Sequence, residues 1–318
     1  MEGRDMMDYQ EKIDIMIQNI EKLIVGKREA IKHTLITLLA GGHLLLEDVP
    51  GVGKTTLAKA LAQTIDCGFT RIQFTPDTLP GDVTGLSIYN MQTGKFEYSK
   101  GAIMNNIILA DEINRTSPKT QASLLEAMEE KQVTVDGVTY PLSKPFMVIA
   151  TQNPVDYLGT YNLPEAQLDR FMMKISIGYP EISDEQVMAD RFINKQYNSQ
   201  LEAVVSKEDV MIMQEEVEEV KVHQDLINYI TKLVQQTRKD NNITLGASPR
   251  ATLALIRAAQ ARAYVEGRKY CIPDDIIGLV VPVLAHRIIL SPEARLGQSK
   301  VDRILKDIIV KIPVPIFK

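Results

Sequence analysis

His43-Leu-Leu-Leu-Glu-Asp-Val-Pro-Gly-Val-Gly-Lys-Thr-Thr-Leu-Ala-Lys-Ala-Leu61 places a short apolar run, a Gly/Pro loop and an Ala/Leu-rich stretch in direct succession. The apolar run reads as a buried strand. Pro50, Gly51 and Gly53 make a tight loop, and Thr55 opens a helix, so the stretch is a strand, loop and helix unit. Successive backbone N–H groups in such a loop converge, and the helix N-terminus adds partial positive charge. Lys54 can reach the β- and γ-phosphates of a ligand, and the Thr55 hydroxyl can hold Mg²⁺. The ligand implied is a nucleoside triphosphate with magnesium, bound by Asp48, Val49, Pro50, Gly51, Val52, Gly53, Lys54, Thr55 and Thr56.

The pattern G-x-x-x-x-G-K-[ST] wants glycine where this chain has Asp48. Aspartate tolerates left-handed backbone angles, so the turn survives. A carboxylate beside phosphates is electrostatically awkward unless it points away.

At 318 residues the chain has room for two modest domains, and 45% hydrophobic with 24% charged residues is ordinary for a globular protein. No apolar run reaches the roughly 18 residues of a spanning helix, and Met1 to Asp5 lacks a secretory pattern, so no membrane insertion and a cytoplasmic location are expected. Cys67 and Cys271 lie far apart without metal spacing and read as free thiols; the four histidines fall at unrelated positions. A net charge of -5 argues against a surface built for nucleic acid, although a local basic pore is compatible with it.

Working outward from the loop, apolar residues Ile13, Ile17, Ile20 and Leu23 predict a leading helix over about Asp5 to Leu23, and a second helix runs from about Arg28 to Leu39. Between them, Val25 and Gly26 are either an adenine contact or a simple joint. After the loop come a strand at Phe69 to Phe74 and a hairpin flanking Gly94, which interrupts the expected crossover and reads as an insertion. Ile107 to Asp111 is a buried strand, and ligands gather at the carboxyl ends of such strands. Asp111 is placed to reach Mg²⁺ and Glu112 to polarise the attacking water.

A helix over about Pro118 to Lys131 precedes a second hairpin around Asp136-Gly137. The strand Phe146 to Thr151 ends in Gln152-Asn153-Pro154, where Asn153 either contacts the γ-phosphate or water, or belongs to an ordinary strand-end turn. Arg170 ends a short helix, where it either complements the helix C-terminus or reaches the nucleotide of a neighbouring subunit. From Pro180 helices replace strands. Lys207 to Glu219 carries Met211, Val217 and Val220 as apolar positions, and Ser248-Pro249 starts an Ala-rich helix. Arg250 in its first turn needs an anion nearby, such as a triphosphate, or is a solvated surface residue.

Taken together, Gly51 to Thr55, Asp111-Glu112, Asn153, Arg170 and Arg250 resemble an AAA+ ATPase, and the runs at 109–115, 121–129, 150–154 and 163–171 resemble the MoxR family more narrowly. That resemblance implies an α/β P-loop NTPase fold: a parallel five-stranded sheet flanked by helices over residues 1–180, with inserted hairpins at about 84–100 and 132–142, then an all-α lid over 181–318. It implies Walker A at Lys54 and Thr55, Walker B at Asp111 and Glu112, sensor 1 at Asn153, an arginine finger at Arg170 and sensor 2 at Arg250, the last acting on its own or a neighbour's nucleotide. A homo-oligomeric ring, a hexamer, follows from a finger acting in trans. The activity implied is Mg-dependent ATP hydrolysis driving chaperone-like remodelling of client protein complexes, with a von Willebrand factor A-type partner. The alternatives are a DNA motor of the MCM-like clade, disfavoured by the acidic composition, and a nucleotide-gated scaffold with little turnover.

Overall fold

The computed structural model describes residues 9–153, 161, 163–195 and 200–315. The expected helix start near Asp5, and Pro154, lie outside them. Helices α1 (Tyr9–Glu21) and α2 (Arg28–Leu39) lead into β1 (Leu44–Glu47), α3 (Lys54–Thr64) and β2 (Phe69–Gln73). The short helix α4 (Pro80–Thr84) carries the hairpin β3 (Gly85–Asn90) and β4 (Lys95–Lys100), followed by β5 (Ile107–Asp111) and α5 (Pro118–Glu130). A second hairpin, β6 (Gln132–Val135) and β7 (Val138–Pro141), precedes β8 (Met147–Gln152), α6 (Glu165–Leu168) and β9 (Met173–Ile175).

The sheet is five-stranded and parallel, as the family resemblance implies, and its strands lie in the order β2-β5-β8-β1-β9. Its strands read as unbroken apolar runs because both faces are covered. Leu44, Leu46, Leu109 and Ile149 pack toward α1, α2 and α3, while Leu45, Ile108, Ala110 and Val148 pack toward α5. Register aligns Glu47 with Gln152 and Gln73 with Asp111, so the segments after β1, β5 and β8 emerge on one edge.

The rest comprises α7 (Ile182–Ile193), α8 (Lys207–Glu218), α9 (Gln224–Thr237), β10 (Ile243–Leu245), α10 (Pro249–Val265), α11 (Pro273–Ile277), α12 (Val280–Leu284), β11 (Ile289–Leu290), α13 (Pro292–Leu296) and α14 (Val301–Lys311). The expectation of an all-helical lid is corrected here: β10 and β11 pair antiparallel. Strands this short show no alternation long enough to read. The phase of α8 is corrected too. Val210, Met213 and Val217 are its buried stripe, and Met211 lies off it by about 100° of helix rotation. Among the described residues no helix is long and apolar enough to cross a membrane. Cys67 and Cys271 are free thiols, each pushed up to about 12 by burial.

Candidate active site

Gly51 and Gly53 have φ of 89° and 95°, the left-handed region where a side chain strains the backbone, and Gly53 caps α3. Among the described residues, the amides of residues 51–56 donate to no backbone acceptor. Lys54 Nζ, folded back over the loop, donates to the Asp48 carbonyl at 2.8 Å. Thr55 and Thr56 stand in the first turn of α3.

Asp48 is not in the left-handed region, so conformational tolerance is not what places aspartate there. Its buried carboxylate turns away from the loop. It accepts from Ser176 Oγ at 2.6 Å, Ile177 N at 2.6 Å and Gly178 N at 3.1 Å. The residue that breaks the usual motif therefore pins the loop to the segment after β9.

At the end of β5 both oxygens of Asp111 are engaged. Thr151 Oγ1 donates to Oδ1 at 2.6 Å, and Arg71 donates to Oδ2 from Nη2 at 2.6 Å and Nε at 3.1 Å. Glu112 takes a left-handed φ of 55°, donates its amide to Thr151 Oγ1, and accepts from Gln73 Nε2 at 3.0 Å and Arg115 Nη1 at 2.8 Å. Asn153 follows directly after β8 on the same edge. Open amides, an ammonium, threonine hydroxyls and a carboxylate that already accepts a cation form a donor set that fits a triphosphate with a hard divalent ion. Arg71, Gln73 and Thr151 carry no motif. The signal for Arg71 and Gln73 is alternation on β2, which places them on one face; Thr151 lies on β8 within the 150–154 run, which assigns it no role.

The joint between α1 and α2 lies over the loop. Ile24 Cδ1 is 3.6 Å from where a Cβ on Gly53 would stand, and Val25 is half-buried. A Cβ on Gly26 would overlap the Asp184 carboxylate at the start of α7, and Lys27 Nζ donates to Tyr179 O at 2.6 Å. Val25 and Gly26 thus sit between the phosphate loop and α7.

Arg170 and Arg250 are elsewhere. Helix α5 leaves the carboxyl edge after β5 and returns to the amino edge, where His43 Nε2 donates to Met128 O at 3.2 Å and Met172 N donates to His43 O at 2.8 Å. Here Arg170 Nε approaches Glu129 Oε2 at 3.1 Å, too poorly aligned for a hydrogen bond, and Arg250 Nη2 donates to Glu129 Oε1 at 2.7 Å. The six residues of β8 separate the two edges by roughly 20 Å at about 3.3 Å per residue, beyond the reach of an arginine side chain. Arg170 follows the C-cap of α6 directly, with its amide on Gln167 O at 3.2 Å, and the anion beside both Arg170 and Arg250 within the chain is Glu129.

The turn bearing Arg170 is fastened by contacts that no local pattern announces. Buried Arg287 donates to the carbonyls of Asp169, Phe171 and Met172, and its Nε meets Asp169 Oδ1 at 2.6 Å. Burial lowers the Arg287 pKa while Asp169 opposes the shift. Ser248 Oγ donates to Asp169 Oδ2 at 2.8 Å, two residues before Arg250. His286 donates from Nε2 to Phe171 O at 2.9 Å, and burial, then Arg287, hold its pKa well below the usual 6.5.

Residues 43–173 match the model of the ATPase family associated with various cellular activities, and residues 235–308 match its lid domain. Bacillus subtilis (strain 168) YeaC is 50% identical over 98% of both chains. The chaperone MoxR1 of Mycobacterium tuberculosis is 38% identical over 94% of this chain and 81% of its own. The crystal structure of a candidate ATPase from Cytophaga hutchinsonii superposes with a TM-score of 0.90 at 44% identity, covering 97% of this chain and 96% of the other.

Proposed function

The chain belongs to the MoxR family of AAA+ ATPases, and from that premise we propose that its ATP is hydrolysed at the junction of two copies, each supplying part of one site. The observation that carries this reading is the separation of Lys54, Asp111, Glu112 and Asn153 from Arg170 and Arg250 by the length of the sheet. One chain offers two half-sites on opposite edges. A closed head-to-tail ring, hexameric in this proposal, brings each half to its complement.

In the first half-site the loop amides and Lys54 hold the phosphates, with Val25 and Gly26 beside the adenine. Thr55 and Asp111 would hold Mg²⁺, which when bound offsets phosphate charge, and Arg71 releases Asp111 for that role. Glu112, released by Gln73 and Arg115, takes the proton of the attacking water while Asn153 orients it. Arg170 and Arg250 of the adjoining copy stabilise charge on the γ-phosphate, a contact of a type worth roughly 10³ to 10⁵ in rate.

The output fits remodelling of client complexes in the cytoplasm, in keeping with the name of the mycobacterial relative, with a von Willebrand factor A-type partner. Residues 1–180 serve as the nucleotide core and 181–318 as the lid. Loss of the γ-phosphate frees the arginines and, through Asp169 and Arg287, shifts lid against core. Stacked Tyr98 and Tyr140, 4.1 Å apart, join the two hairpins, and exposed Met91 and Phe96 give the first an apolar tip for a client.

Glu112→Gln tests the assignment. ATP binding, followed by a fluorescent analogue, should persist while multiple turnover falls by at least about 10²-fold, within the range typical of general-base catalysis. Undiminished turnover would remove Glu112 from its role.

A further inference from the structure

Among the described residues, Glu129 is the one side chain that forms an ion pair with both Arg170 and Arg250. We propose that it is a positioning residue: it gathers the two arginines into one outward-facing pair and gives them up to the triphosphate of the adjoining copy. This rests on the shared-site reading above.

Two guanidinium groups repel, and without a common anion they splay. Each oxygen of Glu129 faces a different arginine, so the carboxylate sets their spacing as well as neutralising one charge. The trio retains one net positive charge. Its hydrogen bonding is also incomplete: Arg170 Nε is buried and, despite lying 3.1 Å from the carboxylate, has no aligned acceptor. A second anion suits the residual charge.

The hold is also reversible. The Glu129 and Arg250 side chains are 37% and 59% exposed, and ion pairs in that setting contribute little, so a triphosphate displaces the carboxylate easily. For the exchange of carboxylate for triphosphate the backbones beneath need not move. His43 grips the α5 carbonyl next to Glu129, Arg287 and His286 grip the turn of Arg170, and Ser248 ties the start of α10 to Asp169. Only the side chains need to move.

The test uses mixed assemblies of the full chain. Lys54→Ala copies retain the arginine face, Arg170→Ala copies retain the loop, and their mixture turns over ATP only where the first adjoins the second. Glu129→Gln is then placed in one or the other. In the Lys54→Ala copy it should lower kcat roughly tenfold, the scale of misplaced catalytic groups, with KM little changed and half-maximal activity at lower protein concentration. In the Arg170→Ala copy, whose arginine face is already disabled, it has nothing further to remove. Glu129→Asp, which keeps the charge, should recover part of the loss. Equal loss from either copy, or none from either, overturns the role of Glu129 alone. No recovery on mixing, before Glu129 is altered, overturns the shared site and this proposal with it.

Discussion

Asp48 shows how one residue can satisfy a motif by breaking it. Its carboxylate accepts three hydrogen bonds from residues 176–178, two of them from backbone amides. Asp48→Gly would restore the common loop pattern yet orphan those donors, at about 1–3 kcal/mol for each buried group left unpaired. Urea unfolding should therefore show the variant destabilised and not improved. His43 belongs to the same scale. Its Nδ1 accepts from Val148 N at 3.0 Å while Nε2 donates to Met128 O, so protonation breaks a sheet contact. Burial lowers its pKa to about 4 from 6.5, and His33 and His286 move in the same direction. The unfolded chain takes up these protons first. The stability they represent is complete above pH 6.5 and is lost as pH falls toward 4. Melting temperature should fall between pH 7 and 5, with a shallower slope in His43→Gln. That the Asp48 carboxylate must point away was legible beforehand, but these partners were not, because those of Asp48 and His43 lie 85 to 130 positions away.

At the scale of elements, motifs local in sequence were readable. The loop between β1 and α3 and the acids ending β5 announce themselves through composition and apolar pattern. What pairs across elements was not. Arg71 and Gln73 meet Asp111 and Glu112 only because β2 lies parallel to β5 in a register that sets Gln73 beside Asp111, and no local pattern encodes register. The turn between α6 and β9 is a like case: four carbonyl or carboxylate contacts from Arg287 hold a segment more than 110 positions away. Arg287→Met should cost about 3–5 kcal/mol by leaving Asp169 with an uncompensated charge, measured by denaturant unfolding. Turnover should fall further than that destabilisation accounts for, since the same turn carries Arg170.

At the scale of the whole molecule, each charge that a nucleotide complex would engage already has a partner within the chain: Lys54 on a carbonyl, Asp111 on Arg71, Glu112 on Gln73 and Arg115, and the two arginines on Glu129. A chain so self-satisfied should be a poor catalyst alone, and its specific activity should rise with protein concentration as copies meet. The family was legible from ordered motifs, but the placement of Arg250 was not, because the sequence does not say which edge of the sheet α10 reaches. The most direct measurement mixes Lys54→Ala copies with Arg170→Ala copies, each inactive alone, and follows ATP turnover against their ratio. A site built from two copies predicts activity that appears on mixing and peaks near equal proportions. Turnover no greater than the sum of the separate proteins at every ratio would contradict it.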